Sequence, residues 1–366
     1  MSADRQKFEP VAPGSTIGIL GGGQLGRMLA LAAARLGFKT HIYSDETESC
    51  ALYVASANTR ASFRDTQALA KFAAACDAVT FEFENVPDDT VRELMKHVIV
   101  APGSEPLRIT QDRYLEKSFV TGLGIPTAPF HDVTREDDAR TAFASLGGRA
   151  VIKTRTLGYD GKGQRLVRTA DEAAAGFAEL GRTPCIIEGF VDFAFEASVV
   201  AARARDGSFA AYDVVRNEHE HHILRRSTVP AGITPSLAQE AIAAARRIAE
   251  AMDYVGVLGV ELFVTRDGKL LVNEVAPRVH NSGHWTLEGC AVSQFEQHIR
   301  AIAGWPLGDP ERHSDAVMQN IIGGEVENWR GMSGQTGLHI YGKRVVRPGR
   351  KMGHITRILP LGSIAK

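Results

Sequence analysis

Residues 256–278 read GVLGVELFVTRDGKLLVNEVAPR, and the fold of the chain is decided by how this stretch is paired. Asp267-Gly268 is a two-residue turn signal flanked by runs rich in Val, Leu and Phe, so the segment is expected to form a β-hairpin. Counting outward from the turn pairs Arg266 with Lys269, Thr265 with Leu270 and, further out, Glu261 with Glu274. Opposed residues of an antiparallel pair share a face, with Cβ atoms roughly 5 Å apart. Two carboxylates so placed repel each other unless something positive lies between them. For two hard oxygen donors, Mg²⁺ is the natural candidate. A register slip or a bulge that separated the pair would leave two ordinary surface glutamates.

On the N-terminal side, residues from about 15 to 105 alternate strand and helix patterns. STIGIL, FKTHIYS, DAVTFEF and HVIVAP read as strands, with a glycine-led helix, GGGQLGRMLALAAARLG, after the first. Strands separated by helices imply a parallel, doubly wound sheet. After Pro102-Gly103, the helical segment QDRYLEKSFVTGLG leads into the proline-rich link IPTAPF. From Arg149 the pattern changes to paired strands (RAVIKT, QRLVR, PCIIEGFV, EASVVAARA, FAAYDVV), an antiparallel α+β region. The helix SLAQEAIAAARRIAEAM precedes the glutamate hairpin, and a small, glycine-rich, strand-rich unit follows Trp305. The expected organisation is a Rossmann-like domain over residues 1–105, a central domain over 106–304 and a small C-terminal domain over 305–366.

At 366 residues, with 44% hydrophobic and 23% charged residues, the composition is that of a globular protein of two or three domains. A formal net charge of −1 argues against a general nucleic-acid or membrane surface. Cys50, Cys76, Cys185 and Cys290 are far apart and form no metal-spaced pair, which suits a reducing cytosol. The first 14 residues lack the apolar core of a signal peptide, and no apolar run approaches the length of a membrane span.

Gly21-x-Gly23-x-x-Gly26, with Asp45 near the end of the next strand, satisfies the dinucleotide fingerprint in form and would suggest an NAD-dependent oxidoreductase. Physically it shows a backbone loop at a helix N-terminus. A phosphate of another ligand, or tight strand–helix packing alone, fits as well.

Other segments point to a nucleoside triphosphate. Lys153 ends a strand and precedes a loop with Gly158, Tyr159, Asp160, Gly161, Lys162, Gly163 and Gln164, whose N–H groups can wrap around phosphates. It lacks the GKS or GKT of a Walker loop. The strand CIIEGFV breaks at Glu188-Gly189 and could present backbone groups to adenine, with Glu196 placed to accept from ribose hydroxyls. His219 and His221 in HEHHIL share a strand face without a third ligand, so ordinary half-exposed histidines are expected rather than zinc ligands. APRVHNSGHW gathers Arg278, His280, Asn281, Ser282, His284 and Trp285 beside the proposed metal site. KRVVRPGRKMGH gathers Lys343, Arg344, Arg347, Arg350 and Lys351, which suits a phosphate-bearing ligand or a solvated face.

Taken in order, Arg113, Lys153, GYDGKGQ, IIEGFV with Glu196, Glu261 and Asn273-Glu274 resemble the ATP-grasp superfamily. GGGQLGRM, RTLGYDGKGQ, NEVAPRVHNSGHW and VRPGRKMGH resemble the N5-carboxyaminoimidazole ribonucleotide synthetases within it, over about residues 16–354. Members of that family commonly continue past the position of Lys366. The resemblance implies a three-domain ATP-grasp fold whose central domain has two lobes, one mobile over about residues 130–195. It implies ATP- and bicarbonate-dependent carboxylation of 5-aminoimidazole ribonucleotide through carboxyphosphate, by a cytosolic homodimer.

Carried over by resemblance, Arg113 and Lys153 hold ATP phosphates under the loop Gly158 to Gln164. Glu188, Gly189, Phe190 and Val191 hold adenine, Glu196 the ribose, and His219 another part of the nucleotide. Glu261 and Glu274 hold Mg²⁺, with Asn273 assisting at the phosphates. Gln24, Leu25, Tyr159, Asp160, Arg278, His280, Asn281, Ser282, Lys343 and Arg350 are the substrate residues. Lys153, Tyr159, Asp160 and Arg278 are the expected catalytic residues, Asp160 orienting or deprotonating the substrate amine. Sister ATP-grasp activities share the ATP residues, among them formate-dependent glycinamide ribonucleotide transformylase and biotin carboxylase. HNSGHW and the basic cluster carry the discrimination. A catalytically dead nucleotide-binding regulator is disfavoured by intact Lys153, Glu261 and Glu274.

Overall fold

The structure, a computed structural model, describes residues 9–158 and 161–364. Its N-terminal part is a five-stranded parallel sheet in the order Ala57–Arg60, Lys39–Ser44, Thr16–Leu20, Ala78–Phe81, Ile99–Val100. The edge strand Ala57–Arg60 escapes the sequence reading because its small and polar side chains are mostly exposed and leave no apolar pattern. Helices Gln24–Arg35, Thr66–Ala74 and Asp88–Leu94 connect the strands, as a parallel sheet requires.

The antiparallel region divides into two sheets. Phe130–Val133, Cys185–Gly189, Ala150–Thr154 and Gln164–Val167 form a four-stranded sheet in that spatial order. Helices Glu136–Ser145 and Ala170–Glu179 pack on it through Val133, Phe143, Ile152, Phe177 and Ile187. The larger sheet runs Leu270–Ala276, Gly256–Thr265, Phe193–Arg203, Val215–Glu220, Ile223–Val229, Asp315–Ile322, Lys351–Leu359, Leu338–Ile340, with Phe209–Ala211 beside Phe193–Arg203. The C-terminal strands thus extend the central sheet, because Asp315–Ile322 pairs antiparallel with Ile223–Val229.

Two features lock the N-terminal sheet to the rest. Met28, Leu29 and Phe38 share a continuous core with Phe295, Ile299, Ile302 and Tyr341. At the same seam His298 is fully buried: its Nδ1 accepts from Val257 N–H at 3.0 Å, so its Nε2–H donates to Thr80 Oγ1 at 2.7 Å. The C-terminal ends of the parallel strands and the two antiparallel sheets therefore face a common cleft.

Candidate active site

The hairpin brings Glu261 opposite Glu274, but not by the register counted from the turn. The turn is a three-residue loop closed by Thr265 N–H on Lys269 O, with Gly268 at φ +77°. Pairing then begins at Val264 with Leu270 and reaches Leu262 with Val272, one residue out of step with the counted register. A bulge at Asn273 absorbs the difference and restores the expected pair. A bulge also lets two successive side chains share a face, which a regular strand forbids. Asn273 and Glu274 both line the cleft with Glu261.

Each carboxylate has a cationic or donor partner. Arg113 Nη1 lies 3.2 Å from Glu274 Oε2, and Arg113 Nη2 donates to Gly158 O at 3.1 Å. Asp112 caps the helix Arg113–Gly122, accepting from Tyr114 and Leu115 N–H, and so places Arg113 in its first turn. His280 Nε2 lies 3.1 Å from Glu261 Oε1. Burial works against the Glu261 charge, yet the hydrogen bond to His280 and the charges of His280, His219 and Lys351 outweigh it and hold Glu261 well below the usual carboxylate range. A donor set of two carboxylates and an amide suits a hard divalent cation such as Mg²⁺.

Behind His280 runs a buried chain of polar groups. Ser227 Oγ donates to Asn217 Oδ1 (2.8 Å), Asn217 Nδ2 to Ser198 Oγ (2.9 Å), and Ser198 Oγ to Ser282 Oγ (2.6 Å). Ser282 Oγ in turn lies 2.8 Å from His280 Nδ1. Ser282 is fully buried and does not line the cleft; it orients the His280 ring.

On the opposite wall Lys153 Nζ donates to Glu188 Oε2 at 3.1 Å. Burial, with the charges of Lys117 and Arg113, pushes Lys153 below its ordinary value against the pull of Glu188. Burial disfavours the Glu188 charge, but Lys153, Lys117 and Arg113 overcome it and bring Glu188 down to about 2. Glu196 Oε2 and His219 Nδ1 are 2.6 Å apart. Although burial opposes it, Glu196 and Glu261 raise the His219 pKa. HEHHIL is therefore an acid–histidine contact rather than a zinc site. Among the described residues one group, Glu288, His339 and His354, clusters like metal ligands. The His339 and His354 rings are stacked at 4.5 Å and 10°, so their in-plane lone pairs do not converge on one ion.

Gly158, Gly161 and Gln164 line the cleft, whereas Lys162 and Gly163 do not. A Cβ on Gly163 would lie 2.7 Å from Thr154 Oγ1, and at φ +72° only glycine fits without strain. Tyr159 and Asp160 lie outside the described residues.

The N-terminal glycine loop is already filled. Glu82, at the end of Ala78–Phe81, accepts from Gly23 N–H at 2.7 Å and Gly26 N–H at 3.2 Å. A Cβ at Gly21 or Gly23 would strike its carboxylate. The helix N-terminus thus holds an internal carboxyl group where a dinucleotide would need its pyrophosphate. Burial raises the Glu82 pKa, against the stabilising N–H groups of Gly23 and Gly26 and the charges of Arg278 and Lys343.

Gln24, Leu25, Arg278, His280, Asn281, Lys343, Arg350 and Lys351 line the same cleft, while Arg344 and Arg347 do not. Arg278 is 2.5 Å from Glu84, and Lys343 Nζ donates to Lys351 O at 2.8 Å. Asn281 forms a reciprocal amide pair with Asn320. Burial pushes Lys343 down to about 8. Glu82, Glu116 and Lys117 escape the sequence reading. Glu82 could have been found from its place at the carboxyl end of a parallel strand, where such sheets put their ligands. Glu116 and Lys117 follow Asp112 and Arg113 by one helical turn, which faces them the same way.

Three family models match successive stretches: a ribonucleotide synthetase preATP-grasp domain over residues 15–111, an ATP-grasp domain over 118–295, and a phosphoribosylaminoimidazole carboxylase C-terminal domain over 316–360. The chain is an ATP-grasp ligase. It is 51% identical to the N5-carboxyaminoimidazole ribonucleotide synthase of Brucella melitensis, over 95% of this chain and 97% of that one. It is 47% identical to that of Pseudomonas aeruginosa over 93% of each. The N5-carboxyaminoimidazole ribonucleotide synthetase structure from Thermus thermophilus superimposes with a TM-score of 0.86 at 45% identity, covering 94% of this chain and 93% of that one. The Aspergillus clavatus synthase in complex with ADP and 5-aminoimidazole ribonucleotide gives 0.88 at 30% identity, covering 95% and 94%. The chain belongs to the N5-carboxyaminoimidazole ribonucleotide synthase family, and it is an ATP-dependent carboxylating ligase of purine biosynthesis that acts on 5-aminoimidazole ribonucleotide.

Proposed function

We propose that the cleft activates bicarbonate with Mg·ATP and delivers the carboxyl group to the exocyclic amine of 5-aminoimidazole ribonucleotide. The observation that carries this reading is a single cavity of about 1120 Å³ lined by both sets of residues. Its lining includes Arg113, Lys153, Glu188, Glu196, Glu261 and Glu274 together with Gln24, Arg278, Lys343 and Arg350.

Lys153 and Arg113 would hold the phosphates, with the segment from Gly158 to Gln164 over them. Glu188 to Val191 would hold adenine and Glu196 the ribose, with His219 steadied by Glu196 as a further nucleotide contact. Glu261 and Glu274 would hold Mg²⁺, oriented by His280 and Arg113, with Asn273 beside them. When bound, the ion supplies charge neutralisation at the phosphate oxygens. Phosphoryl transfer depends mainly on positioning and on preorganised positive charge, which Lys153 and Arg113 provide at the transferring group. Bicarbonate is a poor electrophile, so its phosphorylation to carboxyphosphate makes the carbon attackable. Arg278, His280, Lys343 and Arg350 would hold the ribonucleotide with its amine toward that carbon. Asn281, Gln24 and Leu25 complete the wall, and Tyr159 and Asp160 are proposed to meet the amine. Enclosure matters because carboxyphosphate hydrolyses in water.

The family resemblance supports a homodimer, to be checked by sedimentation, and a biosynthetic enzyme with four free cysteines suits the cytosol. No helix among the described residues is long and apolar enough to cross a membrane. The deciding experiment is phosphate release from Mg·ATP with bicarbonate, with and without 5-aminoimidazole ribonucleotide. The expected result is release that requires both. Release indifferent to that ribonucleotide would overturn the substrate assignment.

A further inference from the structure

Glu188 is shared by two ammonium groups, and the role given to Lys153 uses only one of them. Its Oε2 lies 3.1 Å from Lys153 Nζ and 3.4 Å from Lys117 Nζ. Lys153 lines the cleft. Lys117 does not; it lies one helical turn beyond Arg113 and is 2% exposed. Its Nζ is buried at ion-pair distance without an aligned hydrogen bond, and Glu188 Oε1 is also buried without a partner.

The arrangement has a consequence for nucleotide binding. A buried carboxylate held by one ammonium is a closed pair. If that ammonium moves to a phosphate, it leaves an uncompensated buried charge, which is strongly unfavourable. A lysine whose sole partner was Glu188 would therefore resist transfer to ATP. With Lys117 beside the same oxygen, Glu188 stays compensated whether Lys153 bonds it or not. Around Glu188 the two lysines leave one positive charge in excess, and Lys153 is the one that faces the cleft. We propose that Lys117 is a positioning residue: it retains Glu188 so that the Lys153 ammonium is free to engage the ATP phosphates. This rests on the reading of Lys153 as a phosphate ligand.

The test measures ATP affinity by calorimetry and the KM for ATP in single and double variants. Lys117→Met should raise the Kd and the KM for ATP about tenfold or more while kcat changes much less, because Glu188 then sequesters Lys153. Adding Glu188→Gln removes the sequestering charge, so Lys117→Met/Glu188→Gln should bind ATP within about threefold of Glu188→Gln alone. A merely structural Lys117 would leave the double variant no better than Lys117→Met, and that result overturns the proposal. So does an unchanged KM in Lys117→Met when Lys153→Met has lost ATP affinity. Wild-type affinity in Lys153→Met would instead remove the underlying phosphate assignment, and the proposal with it. Should Lys117→Met fail to fold, the comparison of the double variant with Glu188→Gln decides alone: equality supports the role, and a gap of about tenfold or more overturns it.

Discussion

Glu261 and Glu274 face each other because Asn273 is an extra residue in its strand, inserted between the Leu262–Val272 pair and their own. The bulge turns Asn273 and Glu274 to the cleft together. Without it Glu261 would oppose Asn273, and Glu274 would lie on the other face.

The first prediction follows from that juxtaposition. Glu274→Gln keeps the size of the side chain and removes the charge that would hold a cation. The kcat/KM for Mg·ATP should fall by about 100-fold or more. The melting temperature of the metal-free protein should stay within about 3 °C, since removal of a facing like charge offsets the loss of the Arg113 partner. Metal dependence provides a second readout: Mg²⁺ should strengthen ADP binding to the wild-type protein far more than to the variant, and ADP affinity in chelator should match. Near-normal turnover in the folded variant would remove the metal assignment.

Glu82 supplies the second prediction. Since its carboxylate already accepts from Gly23 and Gly26, NADH has no anion cradle to enter. Saturating ADP with Mg²⁺ should raise the melting temperature by about 5 °C, while NADH at the same concentration leaves it in place. A shift with NADH would mean that Glu82 can leave the loop.

These two sites show how far the sequence could be read. The hairpin and its facing glutamates were legible, but through two compensating errors. The two-residue turn is a three-residue loop, and the bulge at Asn273 corrects the resulting slip. Bulges leave no mark in an alternating pattern this short. The order Arg113, Lys153, Glu188, Glu196, Glu261, Glu274 was legible as a motif series, and all six line one cleft. The glycine fingerprint was legible in form but open in chemistry, and what the sequence does not show is that its N–H groups are taken by a carboxyl group 56 to 59 positions away. Ser198 and Asn217 behind His280 were not legible: a buried serine or asparagine in a strand looks like any other until its partners are known. Ser282, expected among the substrate residues, lies beneath His280 and off the cleft lining.

Lys343 gives the site a pH dependence that differs between the two substrates. Burial brings its ammonium down to about 8, so the charge is present below that pH and lost above it. If Lys343 holds the ribonucleotide phosphate, the KM for 5-aminoimidazole ribonucleotide should double by about pH 8 and rise about tenfold by pH 9. The KM for ATP should change little over the same interval. Lys343→Arg, which stays charged throughout, should flatten the rise. A profile unchanged by that substitution would assign the alkaline limb to another group.

The buried histidines predict acid sensitivity of the fold itself. Burial lowers His298 to about 3, and with neighbouring positive charges it pushes His284 and His354 well below 6.5. Below about pH 6.5 the unfolded chain takes up these protons and the folded one does not, so stability is present above that pH and lost as it falls. Each histidine contributes roughly 1.4 kcal/mol per pH unit over its window. Glu82 and Glu116 act in the opposite sense, because burial raises both and favours their protonated forms in the fold. The three histidines outnumber them between about pH 4.5 and 6.5, so net stability should decline gently there. Below about pH 4.5, Glu188 and Glu261, both held low in the fold, add to the histidine loss and steepen the fall. Urea unfolding from pH 7 to pH 4 measures this directly. His298→Gln can retain a donor and an acceptor toward Thr80 and Val257 without titrating. It should lose about one proton's worth of slope between pH 6.5 and pH 4, and an unchanged slope would show that His298 is not held neutral by the fold.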